Sequence, residues 1–237
     1  MVRLISRIMR RAVGTLAVFT AAGLCLPVFG AQPSAESPAL AADRWKEALA
    51  AFAAADRKQT PPPGGVLFVG SSSIRLWDGL ESQFADAPVV LKRGFGGSRL
   101  SDCVRHLDQL VINYRPRLVV LYAGDNDLAE GATPEEVLER VKTFSRSVHE
   151  QLPDTRVAFV SIKPSPARIA LIGKARAANK LVREFAAAHP QVEYIDVFTP
   201  MLGQNGLPRP ELFARDKLHL SSTGYALWRS IIRPFVR

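Results

Sequence analysis

Five short apolar runs, separated by segments with helical spacing, constrain the fold of this chain more than any other feature. The runs cover residues 66–69, 89–91, 118–122, 157–160 and 192–197. Runs of this length between helical segments are typical of buried strands. Strands that alternate with helices form a parallel sheet with helices on both faces. We therefore expect an α/β fold, a three-layer α/β/α sandwich with a five-stranded parallel sheet.

The segments around these runs predict the helices. Residues 39–57 place Trp45, Leu49 and Phe52 on one face, and residues 133–151 begin with a capping box made by Thr133 and Glu136. Further helices are predicted over residues 101–113, 167–188 and 222–235. We divide the chain into a leader at residues 1–30, a junction and helix at 31–65, and the main domain at 66–237.

The first 30 residues have the pattern of a secretory signal peptide. An acid-free apolar run at 12–29 ends in small residues, and four arginines precede it: Arg3, Arg7, Arg10 and Arg11. We expect cleavage just after Gly30, which predicts an exported protein, periplasmic or secreted. An uncleaved membrane anchor is the alternative, since the run is about as long as a short membrane span. Pro27 and Gly30 interrupt the run where such an anchor would continue.

Charge and cysteine content exclude some classes of partner and crosslink. The net charge of +9 falls to about +5 without the leader, which contains no acid. No block of lysine and arginine with interleaved aromatic residues is present, so we expect no nucleic-acid partner. Cys25 lies in the leader, which leaves Cys103 as the one cysteine of the processed chain and rules out an internal disulfide.

Glycine-rich polar segments follow three of the predicted strands. They are GSSS at residues 70–73, GFGGS at 94–98 and GDND at 124–127. Ligand sites of parallel α/β sheets lie beyond the carboxyl ends of the strands. We therefore expect these three segments to meet at one edge of the sheet and to form the functional site.

A nucleophilic serine and a histidine base are the candidates for chemistry. A serine hydroxyl needs an exposed position, a base and donors for the oxyanion that forms. Ser72 follows a strand at a glycine turn, although such turns also serve as helix caps or phosphate cradles. Asp216 precedes His219 by three residues, so its carboxylate can orient the imidazole. A surface ion pair is the alternative for this second pair.

Four blocks of sequence, in order, resemble the SGNH hydrolase family, also called GDSL-like esterases and lipases. They are FVGSSSI, RGFGGSRLSD, YAGDNDLAEG and RDKLHLSSTGY, and the resemblance extends from residue 66 to residue 228. It implies that Ser72 is the nucleophile and that Asp216 and His219 complete a catalytic triad. It also implies an oxyanion hole made by the backbone N–H of Ser72, by Gly97 and by Asn126.

One departure from the family pattern concerns the first block. Ser71 stands where the family has aspartate, so three serines are adjacent and the nucleophile could be displaced by one residue, to Ser71 or Ser73. The departure also leaves the hydrogen bonding around this block open.

Several other residues are interpreted as structural. Asp125 and Asp127 resemble a metal-binding DxD, but no histidine cluster accompanies them, so we expect no metal. Asp127 is expected to brace the loop that aims Asn126. The 94–97 run lacks the GxGxxG spacing, so we expect no nucleotide cofactor. Packed or solvated roles are expected for His106, His149, His189 and Cys103. For Arg75, Trp77 and Arg99, the sequence leaves three roles open: contact with substrate, packing or surface pairing.

The function expected from these features is hydrolysis of a carboxylic ester through an acyl-enzyme. The compact domain has no long insertion that could build a deep acyl tunnel, which favours a short acyl group. Lysophospholipid, thioester, aryl ester and O-acetylated carbohydrate substrates remain alternatives. A further alternative is a non-catalytic module that binds carbohydrate or lipid in the same cleft. For the enzyme, the expected partner is a small-molecule, glycan or lipid ester substrate.

Overall fold

The structure is a computed structural model that describes residues 44–87 and 89–236. The predicted signal peptide lies outside the described residues. The first described element is a helix, α1 (Lys46–Lys58), which corresponds to the helical pattern at 39–57. None of the helices in the described ranges is long and apolar enough to cross a membrane.

The centre of the fold is a parallel five-stranded sheet, as the sequence predicted. Its strands are β1 (Val66–Gly70), β2 (Val90–Gly94), β3 (Leu118–Tyr122), β4 (Arg156–Val160) and β5 (Val192–Ile195). They are arranged in the order β2-β1-β3-β4-β5. The strand order reverses between β1 and β3, and this switch point is where α/β sheets of flavodoxin type bind their ligands.

Helices cover both faces of the sheet. The short ones are α2 (Ser72–Arg75) directly after β1, α3 (Leu80–Gln83) between α2 and β2, and α6 (Asp125–Ala129) after β3. The others are α4 (Leu100–Arg105), α5 (Leu107–Leu110), α7 (Pro134–Gln151), α8 (Ile172–Ala187) and α9 (Ser222–Val236). Helix α7 begins with the predicted capping box: Thr133 Oγ1 accepts from Glu136 N at 3.2 Å, and Glu136 Oε2 accepts from Thr133 N at 2.7 Å.

Two predicted helices are interrupted in the structure. The segment 101–113 is divided between α4, α5 and a 3₁₀ turn at Ile112–Tyr114, because His106 leaves helical geometry at φ −105°, ψ 22°. The segment 167–188 begins as a 3₁₀ turn, Pro166–Leu171, in which Arg168 is non-helical at φ −120°, ψ 31°. The spacing of apolar residues does not reveal these helix breaks, because the apolar residues on either side of each break keep a helical period.

The three central strands, β1, β3 and β4, are buried on both faces, which explains why they are mainly continuous apolar runs rather than alternating ones, whereas the edge strands β2 and β5 are only partly buried. Successive residues of a strand point to opposite faces. Leu67 and Val69 accordingly join the core that includes residues of α4, α7 and α8. Phe68 joins the opposite core, where its ring lies 6.1 Å from that of Trp77, and Trp77 lies 6.1 Å from Trp228 of α9.

Helix α1 and the residue before it are anchored to the loop that follows β2. Trp45 is 3% exposed, and its indole Nε1 donates to the carbonyl of Gly96 at 2.9 Å. At the other end of the helix, Asp56 pairs with Arg93 of β2 and accepts from the hydroxyl of Tyr114. The segment before β1 is therefore packed against the same loop that carries Gly97.

Candidate active site

The strand-to-helix turn after β1 presents Ser72 at the edge of the sheet. Strand β1 ends at Gly70, whose φ of +141° suits glycine; a Cβ there would lie 1.8 Å from the Tyr122 carbonyl oxygen. Because of this close approach, the last residues of β1 and β3, Gly70 and Tyr122, are paired in the sheet. Ser71 N also donates to the Tyr122 carbonyl at 3.0 Å. Ser72 is the first residue of α2, so the helix makes no use of its backbone N–H.

The three adjacent serines differ in accessibility and partners. Ser71 and Ser73 are buried, 3% and 1% exposed, whereas Ser72 is partly exposed. The hydroxyl of Ser72 lies 3.0 Å from His219 Nε2. The hydroxyl of Ser73 has no hydrogen-bond partner among the described residues. The geometry thus points to Ser72 as the one serine of the three that a base can reach.

His219 is held by Asp216 in a tight loop before α9. Asp216 Oδ2 lies 2.6 Å from His219 Nδ1, and Asp216 Oδ1 accepts from the backbone N–H groups of Leu218 and His219 at 3.0 and 2.9 Å. These hydrogen bonds, the one from the imidazole first, lower the pKa of Asp216 to about 2. A carboxylate accepts only, so Nδ1 carries the proton and Nε2 is left to accept from Ser72.

Backbone contacts hold this loop against the rest of the edge. Lys217 has a φ of +58°, and its carbonyl accepts from Ala167 N at 3.0 Å. The carbonyl of His219 accepts from Ala214 N at 2.8 Å. The residues that the sequence proposed as a triad are therefore brought together, with Asp216 and His219 on a loop tied to the segment that follows β4 and Ser72 on the turn after β1.

Asn126 lies on α6, directly after β3, with both ends of its carboxamide bound. Its Nδ2 donates to the carbonyl of Ser98 at 3.0 Å, and its Oδ1 accepts from Arg168 Nη2 at 3.0 Å. A carbonyl only accepts and a guanidinium only donates, so these partners settle which end is nitrogen. One N–H of Asn126 remains for another acceptor.

Gly97 lies beside the Ser98 carbonyl that holds Asn126. Its φ of +76° is a conformation that favours glycine. Within residues 44–87 and 89–236, the backbone N–H groups of Ser72 and Gly97 donate to no other residue. The structure therefore brings Ser72, Gly97 and Asn126 to one edge, with donors that are free.

Asp127 ties the third polar segment to helices α4 and α7. Its carboxylate accepts from Leu100 N at 3.1 Å and from Arg140 Nη1 at 2.6 Å. Burial raises the pKa of Asp127 above its ordinary value, although these donors oppose the shift. These contacts fit the expected bracing role, because they fix α6 against the start of α4.

A buried charge cluster beside Asn126 was not predicted from the sequence. Lys163 Nζ donates to Asp125 Oδ2 at 2.6 Å and to the Tyr122 hydroxyl at 3.0 Å. Arg168 Nη1 lies 2.6 Å from Asp125 Oδ1. Lys163 and Arg168 follow β4, so they belong to the edge that carries the other polar segments. The position of these two residues after a predicted strand was the one feature of the sequence that could have indicated them, but they belong to no recognised motif.

The cluster is ionised despite its burial. Burial opposes the charge on Asp125, but Lys163 and Arg168 outweigh it and hold the pKa of Asp125 below its ordinary value. Burial likewise opposes the charge on Lys163, but Asp125 outweighs it and raises the pKa of Lys163. Burial raises the pKa of Tyr122. The cluster therefore holds two cations, one carboxylate and a neutral phenol.

Of the three residues considered for substrate contact, one remains accessible at the edge. Trp77 is fully buried in the core, and Arg99 pairs with Asp102 and Glu130. Arg75 is exposed, and its guanidinium lies against Gly96, where a Cβ would be 2.8 Å from Arg75 Nε.

The histidines and the cysteine outside this edge have structural environments. His149 and His189 bind backbone carbonyls, and His106 packs edge-on against Phe95 with a buried Nε2 that has no partner among the described residues. Cys103 is buried, which raises the pKa of its thiol well above the ordinary value. The described ranges contain no group of three or more His, Cys, Asp or Glu side chains that could hold a metal ion.

Comparison with known families assigns the chain to a class of hydrolases. The model of the GDSL-like lipase/acylhydrolase family matches residues 66–227. The chain belongs to this family, whose members are esterase-type hydrolases. The chain matches no curated protein significantly.

Solved structures share the fold at low sequence identity. A structure from Streptococcus pneumonia, named as a candidate platelet activating factor, is 22% identical, with a TM-score of 0.73 over 83% of this chain and 94% of that one. A GDSL-like lipase from Bacteroides thetaiotaomicron is 20% identical, with a TM-score of 0.67 over 79% and 96%. A family 3 carbohydrate esterase from Clostridium thermocellum is 16% identical, with a TM-score of 0.58 over 74% and 98%.

Proposed function

We propose that this protein hydrolyses carboxylic esters through an acyl-enzyme formed on Ser72. The observation that carries the proposal is the hydrogen-bonded chain from Ser72 Oγ through His219 to Asp216, with steps of 3.0 and 2.6 Å. His219 Nε2 takes the hydroxyl proton as Ser72 attacks the ester carbonyl, and then gives it to the leaving alcohol. Asp216 stays ionised and stabilises the imidazolium.

The oxyanion of the tetrahedral intermediate is bound at the same edge. Its donors are the backbone N–H groups of Ser72 and Gly97 and the free N–H of Asn126. Fixed donors of this kind each contribute about 10²–10³ in rate. His219 then deprotonates a water molecule, which attacks the acyl carbonyl. The bond to Ser72 Oγ breaks, His219 returns the proton to that oxygen, and the carboxylic acid is released.

A short acyl group, such as acetyl, is the proposed substrate preference. The compact domain and the partly exposed side chains of His219 and Asp216 support a shallow site rather than an acyl tunnel. The similarity to a carbohydrate esterase makes O-acetylated carbohydrate the second candidate class.

A series of p-nitrophenyl esters from acetyl to palmitoyl, hydrolysed by the purified protein, tests this proposal. We expect kcat/KM to be highest for acetyl or butyryl and to fall steeply beyond them. A maximum at long chains would overturn the short-acyl preference. An inactive protein that still binds carbohydrate or lipid would instead support the non-catalytic alternative. Release of acetate from O-acetylated xylan separates the carbohydrate class from simple esters.

We also propose that the protein is exported after cleavage near Gly30. The arginines and apolar run of the leader support this. N-terminal sequencing of the exported protein should give a start near residue 31, and mild reductant should leave its activity unchanged. Recovery of the chain from a membrane fraction with Met1 retained would overturn the cleavage.

A further inference from the structure

Arg168 contacts the carboxamide oxygen of Asn126, the residue proposed as an oxyanion donor. Its Nη2 donates to Asn126 Oδ1 at 3.0 Å, while its Nη1 lies 2.6 Å from Asp125 Oδ1. We propose that Arg168 is a positioning residue that fixes and polarises the Asn126 carboxamide for binding the oxyanion. This inference rests on the function proposed above.

The first part of the argument is geometric. The terminal torsion of an asparagine side chain is broad, so a single contact leaves its amide free to rotate or flip. The Ser98 carbonyl holds one N–H of Asn126, and Arg168 holds the oxygen. With both ends fixed, the remaining N–H has a defined direction. An amide flipped end for end would present its oxygen to the oxyanion and repel it.

The second part concerns charge. Lys163 and Arg168 are opposed by one carboxylate, Asp125, so the cluster carries a net positive charge beside the carboxamide oxygen. A cationic donor on Oδ1 draws electron density away from Nδ2 and strengthens its N–H as a donor. The cluster is largely shielded from solvent, so water screens this effect only weakly.

The loop that carries Arg168 also contacts the loop of the triad. Arg168 has a non-helical backbone in the 3₁₀ turn Pro166–Leu171. The preceding residue, Ala167, donates its N–H to the carbonyl of Lys217, between Asp216 and His219. One segment after β4 therefore holds the oxyanion donor through a side chain and the histidine loop through its backbone.

Neutralisation of Asp125 is the alternative role for Arg168. Lys163 already pairs with the other oxygen of that carboxylate, so charge balance alone does not require the guanidinium. The two roles differ in what the loss of Arg168 changes. A positioning residue changes kcat more than KM, whereas a residue that only balances Asp125 changes stability.

The test uses Arg168→Met, Arg168→Lys and Arg168→Ala with p-nitrophenyl acetate. We expect Arg168→Met to lower kcat by about tenfold or more, with KM within twofold, since one oxyanion donor is misdirected rather than removed. Arg168→Lys keeps the charge but cannot contact Asn126 and Asp125 with two nitrogens at once. Its kcat should therefore lie between those of the wild type and Arg168→Met. Guanidine at millimolar concentration should partly restore Arg168→Ala and leave the wild type unaffected.

Arg156→Met is the matched control. Arg156 lies at the amino end of β4, at the opposite edge of the sheet, where its Nη1 pairs with Glu193 at 2.7 Å. Its loss should change thermal stability but leave kcat within about twofold. A comparable fall in kcat for both methionine variants would overturn the positioning role.

The remaining outcomes separate this inference from the proposed function. A stable Arg168→Met variant with kcat within threefold of wild type overturns the inference while ester hydrolysis stands. If Arg168→Met does not fold, the test rests on the kcat of Arg168→Lys and on the rescue of Arg168→Ala by guanidine. A wild-type kcat for Arg168→Lys together with no rescue of Arg168→Ala overturns the inference. If the wild type hydrolyses no ester, the proposed function fails. Crystal structures of wild type and Arg168→Lys then decide, and an unchanged Asn126 amide in the variant overturns the inference.

Discussion

The hydroxyl of Ser72 lies 3.0 Å from Nε2 of His219, although 147 positions separate the two residues in sequence. Replacement of Ser72 by alanine removes the hydroxyl that we propose as the nucleophile. We expect Ser72→Ala to abolish turnover of p-nitrophenyl acetate and labelling by a fluorophosphonate probe. The folded fraction, measured by circular dichroism, should be unchanged.

Ser71→Ala and Ser73→Ala are the controls for the nucleophile. Both side chains are buried and do not contact His219, so both variants should remain labelled by the probe. Labelling that persists in Ser72→Ala and disappears in one of these two would move the nucleophile by one residue.

Asn126→Ala tests the oxyanion hole directly. Loss of one donor should lower kcat by about 10²–10³, which is roughly 2.7–4 kcal/mol, with little change in KM. The side chain also bridges Ser98 and Arg168, so the melting temperature should be measured alongside the kinetics. A stable variant that keeps more than about a third of wild-type kcat would contradict the oxyanion role.

Asp125→Asn should change how stability depends on pH. The pKa of Asp125 is lowered in the folded state, so its ionised form stabilises the protein above its unfolded pKa of about 3.9. This contribution is lost as the pH falls through the folded pKa. Removal of the charge leaves Lys163 and Arg168 without their carboxylate, which costs about 3–5 kcal/mol at pH 7.

Urea denaturation of both proteins from pH 7 down to pH 3 measures this difference. The difference in the free energy of unfolding between wild type and Asp125→Asn should become smaller below about pH 4. Parallel curves over the whole range would show that the carboxylate is not the source of the stability.

Gly70→Ala should be among the most damaging single changes in the chain. A Cβ at this position would lie 1.8 Å from the carbonyl oxygen of Tyr122, which is backbone and cannot move aside without displacing β3. Gly173→Ala is the control, because nothing lies within 4 Å of the added carbon at that helical position. Thermal unfolding should show a large loss for the first, and a gain of up to about 1 kcal/mol for the second.

The parts of the fold that sequence predicted are those with local causes. The central strands β1, β3 and β4 are short apolar runs because both of their faces are buried, and Thr133 with Glu136 specifies its own capping box. The contacts of Arg168 could not be predicted in this way. Arg168 is 42 positions from Asn126, and a pairing over such a distance depends on the sheet order rather than on neighbouring residues. The breaks at His106 and Arg168 were likewise not predicted, since the apolar residues on either side of each keep a helical period.

Trp45, whose indole donates to the Gly96 carbonyl, belongs to the packed fold although it lies outside the residues that the family model matches. The family match begins at residue 66 and ends at residue 227, yet Trp45 and Asp56 precede it. At the other end, the carbonyl of Val236 accepts from Arg117. A fragment trimmed to the family limits would leave Arg93 without a carboxylate and the oxyanion loop without its indole donor. The family match is thus shorter than the part of the chain whose side chains pack together, and an engineered fragment should keep the longer segment.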